Sequence, residues 1–341
     1  MGPQGPVYNV AKDGSKPVQT QRIHILKGGY ALMRIKDLVV GNKATIDLLV
    51  LSSSIKLTTS KKPYLDMMLS DGTDKISAKK WDWNISSKPE VGTVVTINAD
   101  VTEWAGNKQL IVSSVSRSTK RPEEFAPKGD FDIDEYRAKL DMLLYDMKNE
   151  VLNELVTNIF SDYIDRWKTT PGATRVHHAY LAGTFQHSVD TAMIAKAIAT
   201  NIDGCNIDLC VAGALLHDVG KLFVYELDGS VINYTEYGHL LEHIIGGIMI
   251  LDKYRTEENS EIITLLQHII AAHHGKLEFG SPVTPKFLEA WIVSYADDID
   301  AKANIIQRIN KGCDGKFTEK EWALNNTAML TQRYIEGVIN R

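Results

Sequence analysis

Every histidine but His24 lies between positions 177 and 274. His187 stands in "GTFQHSVDTAMIAKAIA", and His217 adjoins Asp218 in "AGALLHDVGKL". His243 follows in "GHLLEHIIGG". His273 and His274 close "IITLLQHIIAAHHG", and Asp297 stands in "WIVSYADDIDAKANI". These groups sit in apolar runs, where an imidazole or carboxylate is costly unless partnered. Imidazole with carboxylate suits Mn, Fe, Ni, Co or Zn, and the absence of thiolate argues against structural zinc. The donors exceed what one tetrahedral ion needs. Two divalent ions bridged by Asp218 is the natural reading, because adjacent ligands can feed adjacent ions. Lys221 lies one helical turn past Asp218, where its ammonium can reach a phosphate. The plainer reading of Lys221 is a solvated lysine answering a helix dipole. His268 and His24 read as ordinary surface histidines. His239 shares a face with His243, which is preferred.

Each of these residues needs an element to carry it inward. After position 130 the apolar spacing is helical, with helices expected over 133–168, 182–200, 208–219, 236–254, 260–274 and 285–309 and a last one near 318–338. Gly275 stops the fifth, and Thr284–Pro285 reads as a cap and first-turn proline. Helices of a bundle project such side chains toward a shared interior. The C-terminal two-thirds therefore reads as an all-α bundle.

Upstream the pattern is β-like. "YLDMMLS" and "KISAKKWDW" flank an Asp71–Gly72 turn, and "TVVTINADVTEW" and "KQLIVSSVSRS" flank Ala105–Gly106–Asn107. "YALMRIKDLVV" and "KATIDLLVLSSSIKL" precede them, giving about five or six strands. A small closed barrel of the oligonucleotide-binding (OB) type fits. The chain thus divides into an N-terminal arm (1–20), an OB-type domain (21–116), a polar linker (117–130) and a helical domain (131–341). The arm is polar and Gly/Pro-containing and reads as flexible, with no signal-peptide core. No apolar run is long enough to span a membrane.

Charge is split between the parts. Residues 21–128 hold 17 Lys+Arg against 11 Asp+Glu, and residues 129–341 hold 19 against 31, within a net charge of −5. A basic part suits a polyanion, and an acidic part suits cations. Within the barrel, Lys79, Lys80, Trp81 and Trp83 follow one another along a strand, with Tyr64 on its hairpin partner and Lys108 in the next turn. Aromatics stack bases and lysines track phosphates, which suits single strands. Alternation puts Lys79 and Lys80 on opposite faces, and Trp81 or Trp83 can equally be barrel core. Cys205, Cys210 and Cys313 show no metal-type spacing, and a reducing cytoplasm fits.

His187, His217–Asp218 and Asp297 resemble the H…HD…D signature of the HD-domain metal-dependent phosphohydrolases, and His243 with His273/His274 resembles its two-metal branch. "HHAYLAGTFQHS", "AGALLHDVGKL" and "AHHGKLEFGSPVTPKFLEAWIVSYADDIDAK" look like the YhaM-type 3′→5′ exoribonucleases, which join an OB domain to an HD domain. "ISAKKWDW" and "AGNKQLIVSSV" are similar to that family's OB strands. Ala182 and Gln186 stand where Gly and Glu are expected, and Glu242 where the family tends to have Gly. The resemblance implies an exonuclease on single-stranded RNA, with single-stranded DNA as a second partner and a homo-oligomer left open. It implies Asp218 and Lys221 as catalytic residues and Mn²⁺ as the preferred ion, with Fe, Ni, Co, Zn and Mg as alternatives. The competing expectation is a phosphohydrolase of nucleotides or cyclic nucleotides whose barrel docks a protein.

Overall fold

The computed structural model describes residues 33–340 except 84–86, 105, 174–177 and 229–230. The proposed arm, the first residues of the proposed barrel domain and Ala105 of the second turn lie outside the described residues. The chain divides into two compact units, one ending at Ala126 and one beginning at Pro127.

In the first unit, β1 (Lys43–Leu57), β2 (Pro63–Ser70), β3 (Lys75–Lys80), β4 (Val94–Trp104) and β5 (Asn107–Arg117) close a barrel in the order β1-β2-β3-β5-β4. The long β1 makes closure possible. Its first half pairs with β4 and its second half with β2, and the register shifts between Val50 and Ser52, where the strand bends. The parallel β3–β5 pairing seals the barrel. Leu48, Leu65, Leu69, Ile97 and Leu110 fill it. The Asp71–Gly72 turn forms as expected. Asp71 Oδ1 accepts from the Thr73 and Asp74 amides, and Gly72 takes φ +89°.

One expected strand is not one. In "YALMRIKDLVV", Ile35–Asp37 forms a 3₁₀ turn. The Ile35 amide donates to Asp71 Oδ2 at 2.7 Å, and Leu38 is 2% exposed in the barrel core. Ile35 and Leu38 plug the barrel, with Met33 packed against them, while Val39 and Val40 stay exposed. Further on, Pro122–Phe125 forms a 3₁₀ turn that packs Phe125 on Leu49 and Val94.

The second unit is the helical bundle: α1 (Ile133–Asp146), α2 (Glu150–Asp162), α3 (Ile164–Trp167), α4 (Gly183–Ala199), α5 (Ile207–Leu216), α6 (Lys221–Val224), α7 (Glu236–Asp252), α8 (Ser260–Ala272), α9 (Leu288–Asn310) and α10 (Gln332–Ile339). The single helix expected over 133–168 is three. Asn149 caps α2 by accepting from the Leu152 amide, and Asp208 takes the Lys148 and Asn149 amides, which fixes a break there. The helix expected from 285 begins at Leu288, because the Lys286 amide donates to His268 Nε2 at 3.0 Å. Near 318–338 the expected helix is replaced by a hairpin, β8 (Phe317–Glu321) and β9 (Thr327–Leu330), followed by α10. Asn325 and Asn326 both adopt positive φ there, which ends a helix and suits a turn. A second hairpin, β6 (Tyr225–Asp228) and β7 (Val231–Tyr234), links α6 to α7.

Helix α5 organises the bundle. From Leu209 to Leu216 every residue is buried, so the helix is apolar all round and runs through the interior. It packs against α4, α8, α9 and α2. Its C-terminal end therefore falls inside the protein, and the next two residues are His217 and Asp218. No described helix is long and apolar enough to cross a membrane.

Candidate metal centre

Five helices and their ends bring together every proposed metal-site residue. His187 comes from α4, and His217–Asp218 from the end of α5. His243 lies on α7, His273–His274 at the end of α8, and Asp297 on α9. Asp218 is the hub. Its Oδ2 lies 3.4 Å from both His187 Nε2 and His217 Nε2, and 2.5 Å from Lys221 Nζ. Its Oδ1 faces the other way, 3.7 Å from both His243 Nε2 and His273 Nε2. Asp297 Oδ1 lies 3.1 Å from His187 Nε2 and 3.8 Å from His217 Nε2. His243, His273 and His274 form a further group able to hold an ion. Both adjacent histidines, His273 and His274, thus join the cluster.

Close approach of the chain makes this possible. A Cβ on Gly220 would lie 1.9 Å from the His243 carbonyl oxygen, so only glycine lets this turn press against α7. Helix α7 itself is interrupted at Glu242, whose φ 57° and ψ 173° are rare for any residue with a side chain. His243 follows that break.

The tautomers follow from the partners. His217 Nδ1 donates to the Ala214 carbonyl at 2.7 Å, His273 Nδ1 to the Ile270 carbonyl at 2.7 Å, and His274 Nδ1 to the Phe279 carbonyl at 2.9 Å. His187 Nδ1 donates to Asp300 Oδ2 at 2.6 Å. Carbonyl and carboxylate oxygens only accept, so in the neutral rings each Nε2 is left as a lone-pair donor. The Nε2 atoms of His187 and His217 lie 3.1 Å apart. Two lone pairs so placed repel unless a cation or proton lies between them. Asp218 Oδ1 and His243 Nε2 are buried without a hydrogen-bond partner among the described residues. The donor set fits a divalent cation.

Burial pushes the Asp218 carboxyl up, but the Lys221 ammonium and the His217 ring reverse that and hold it well below the usual range. Burial likewise opposes ionisation of Asp297, but the hydrogen bond from His187 and the charges of the His217, His187 and His273 rings together hold its carboxyl well below the usual range. Burial disfavours a charged His187, yet hydrogen bonds to Asp218, Asp297 and Asp300 raise its pKa well above the ordinary value. The carboxylates are thus ionised and available. Lys221 is not a solvated lysine: it is 7% exposed and paired with Asp218.

Asp300 was missed in the sequence. It lies one turn after Asp297, on the stripe of α9 that buries Val293 and Ala296. A carboxylate on an apolar stripe was the signal. Its Oδ2 also takes His178 Nε2 at 2.8 Å. His178, Tyr180, Gln186, Tyr136 and Asp190 continue this hydrogen-bond network, partly buried, away from the metal-site residues.

In the barrel, the register places Tyr64, Asp66 and Lys79 on the outer face, with Lys56 beside them. Trp81, 42% exposed, packs on Tyr64 with ring centroids 4.9 Å apart. Lys80 pairs with the core residue Leu65, opposite in face to Lys79. Trp83 packs against the barrel core and donates Nε1–H to the Ser87 carbonyl. Lys108 is an exposed residue whose ammonium folds back on the barrel, donating to the Leu38 carbonyl at 2.7 Å.

A family model described as HD domain matches residues 184–302. The 3′-5′ exoribonuclease YhaM of Bacillus licheniformis is 32% identical over 299 residues, covering 84% of this chain and 94% of that protein. The HD domain of the phosphodiesterase PgpH of L. monocytogenes aligns at 20% identity with a TM-score of 0.30, covering 46% of this chain and 79% of that one. A domain of replication protein A from Methanococcus maripaludis aligns at 18% identity with a TM-score of 0.23, covering 26% and 94%.

Proposed function

Because the chain belongs to the YhaM family of 3′-5′ exoribonucleases, we propose that it shortens single-stranded RNA one nucleotide at a time from the 3′ end, with single-stranded DNA as a second substrate. The observation that carries this reading is the two-sided contact of Asp218, one oxygen toward His187 and His217 and the other toward His243 and His273. That arrangement supports two divalent ions, with Mn²⁺ the preferred pair. His187, His217 and Asp297 would hold one, His243, His273 and His274 the other, and Asp218 both. When bound, such ions supply Lewis acidity at a phosphodiester, whose own charge otherwise repels a nucleophile.

The chain's own residues do the rest. The Nδ1–H bonds of His187, His217, His273 and His274 hold their rings so that Nε2 points into the site. Lys221, buried beside Asp218, presents a fixed ammonium to the phosphate and stabilises charge developing there. The apolar walls of α5 and α8 exclude bulk water, which strengthens each of these interactions. On the barrel, Tyr64 and Trp81 offer stacking surface, and Lys79 on the same face offers a phosphate contact. Three free cysteines support a reducing cytoplasm as the compartment.

The test is an end-labelled single-stranded RNA and its DNA counterpart, with Mn²⁺ and with chelator, read at nucleotide resolution. The expected result is a ladder shortening from the 3′ end that the chelator stops. Random internal cuts, or turnover of free nucleotides alone, would replace this reading with a general phosphohydrolase.

A further inference from the structure

The metal centre is closed on most sides. The side chains of His187, His217, Asp218 and His273 are at most 2% exposed, whereas His243 is 13% and Asp297 17% exposed. His274, beside His243, is also partly exposed. A substrate has to arrive at this edge. The loop Lys276–Gly280 stands there, because the Phe279 carbonyl is the acceptor that fixes the His274 ring. The Phe279 side chain is 60% exposed, and Leu277 beside it 63%. The Phe279 ring is tethered by its own backbone to a candidate ligand and left open to solvent, so a base arriving at this edge can reach its face. Lys276 Nζ lies 5.0 Å from the centre of that ring and 3.4 Å from Glu278 Oε1, an exposed pair that places a cation beside a stacking face and that a phosphate can displace.

We propose that the Lys276–Gly280 loop is the subsite for the terminal nucleotide of the strand, with Phe279 stacking its base and Lys276 meeting its phosphate. This rests on the nuclease reading above and adds to it where the leaving nucleotide sits. A ring face accepts any base, so the subsite selects for an unpaired end and not for sequence.

The experiment is a cycle between the ring and the base. Wild type, Phe279→Ala and Phe279→Trp are given an RNA with an ordinary 3′ nucleotide and the same RNA with a 3′-terminal abasic residue. KM, kcat, binding affinity and bound metal per chain are measured for each. Removing the base from the substrate should raise the wild-type KM about tenfold, the scale of one base on one aromatic ring. Phe279→Ala should show that same rise on the ordinary RNA, with kcat within about twofold, and no further rise on the abasic one. Phe279→Trp should restore discrimination. If the two losses simply multiply, or if Phe279→Ala leaves KM unchanged, the subsite is refuted. Loss of metal in Phe279→Ala would also refute it, since the ring would then be a support for His274. A wild-type protein that fails to shorten RNA refutes the nuclease reading instead. In that case the ratio of affinities for the two RNAs still decides the subsite: kept in Phe279→Ala it refutes the subsite, lost it upholds it.

Discussion

Asp300 Oδ2 lies 2.6 Å from His187 Nδ1 and 2.8 Å from His178 Nε2, so one buried carboxylate oxygen receives two imidazoles. This holds the His187 ring with its Nδ1–H on Asp300 and its Nε2 toward Asp297 and Asp218. Partners of this kind are worth about 10–100-fold in metal affinity. Asp300→Ala should lose that factor in a chelator-competition titration with Mn²⁺. Asp300→Asn, whose amide oxygen can still accept from one ring, should lose less. Unchanged affinity in both variants would show that Asp300 does not set the His187 tautomer.

Asp218 faces both halves of the cluster, so its replacement should remove turnover altogether. Asp218→Asn is the sharper probe than alanine. It keeps the volume and leaves an oxygen near Lys221, whereas alanine strands a buried ammonium at a cost of about 3–5 kcal/mol. RNA binding by the barrel should persist in Asp218→Asn, as measured by fluorescence anisotropy. Near-normal cleavage by the metal-loaded variant would sink the assignment of Asp218 to both ions.

The barrel separates two lysines that look alike in the sequence. Lys79 lies on the outer face with Tyr64 and Trp81, and Lys108 holds the Leu38 carbonyl. Single-strand binding should fall with salt at a log–log slope of about −0.7 per phosphate contacted. Lys79→Ala should flatten the slope by about that amount. Lys108→Ala should leave the slope alone and lower the barrel's thermal midpoint. The reverse pattern would mean that the strand runs over the Lys108 end.

Glu242 occupies a backbone conformation that is nearly the preserve of glycine, at a cost of about 1–3 kcal/mol. Glu242→Gly should therefore stabilise the metal-free protein by about 1 kcal/mol, after the entropy that glycine loses on folding. Urea denaturation of the two proteins measures this directly. A less stable Glu242→Gly would show that the carboxylate's contact with His243, Oε2 to Nδ1 at 3.7 Å, outweighs the strain.

Burial, with the nearby Asp300 charge added, pushes the Asp190 carboxyl up to about 6. The folded protein therefore holds a proton that the unfolded chain releases near its ordinary 3.8. Stability from this group is full below 3.8 and is lost as pH rises through about 6. Asp190→Asn mimics the protonated form and keeps an oxygen for the Tyr136 hydroxyl. It should gain stability relative to wild type between pH 5 and pH 7.5. An equal difference at both values would show that Asp190 titrates normally.

The sequence by itself determined what is local. The helical period, the Asp71–Gly72 turn and the apolar run ending in His217–Asp218 mark the elements and the donors they carry. Their chemistry needs no coordinates, since a buried imidazole or carboxylate must find a partner. Tertiary structure decided what depends on packing between distant segments. Ile35–Asp37 left the sheet because Asp71 claimed its amide, and the exposed Lys108 folds back onto the Lys36 and Leu38 carbonyls. At 318–338, helical spacing lost to a hairpin whose turn lies at two left-handed asparagines. His178 and Asp300 are 122 residues apart, and only the approach of α9 to the segment before α4 makes them one acceptor and one donor. Which oxygen of Asp218 faces which histidines was settled the same way, by helices that meet in space and not along the chain.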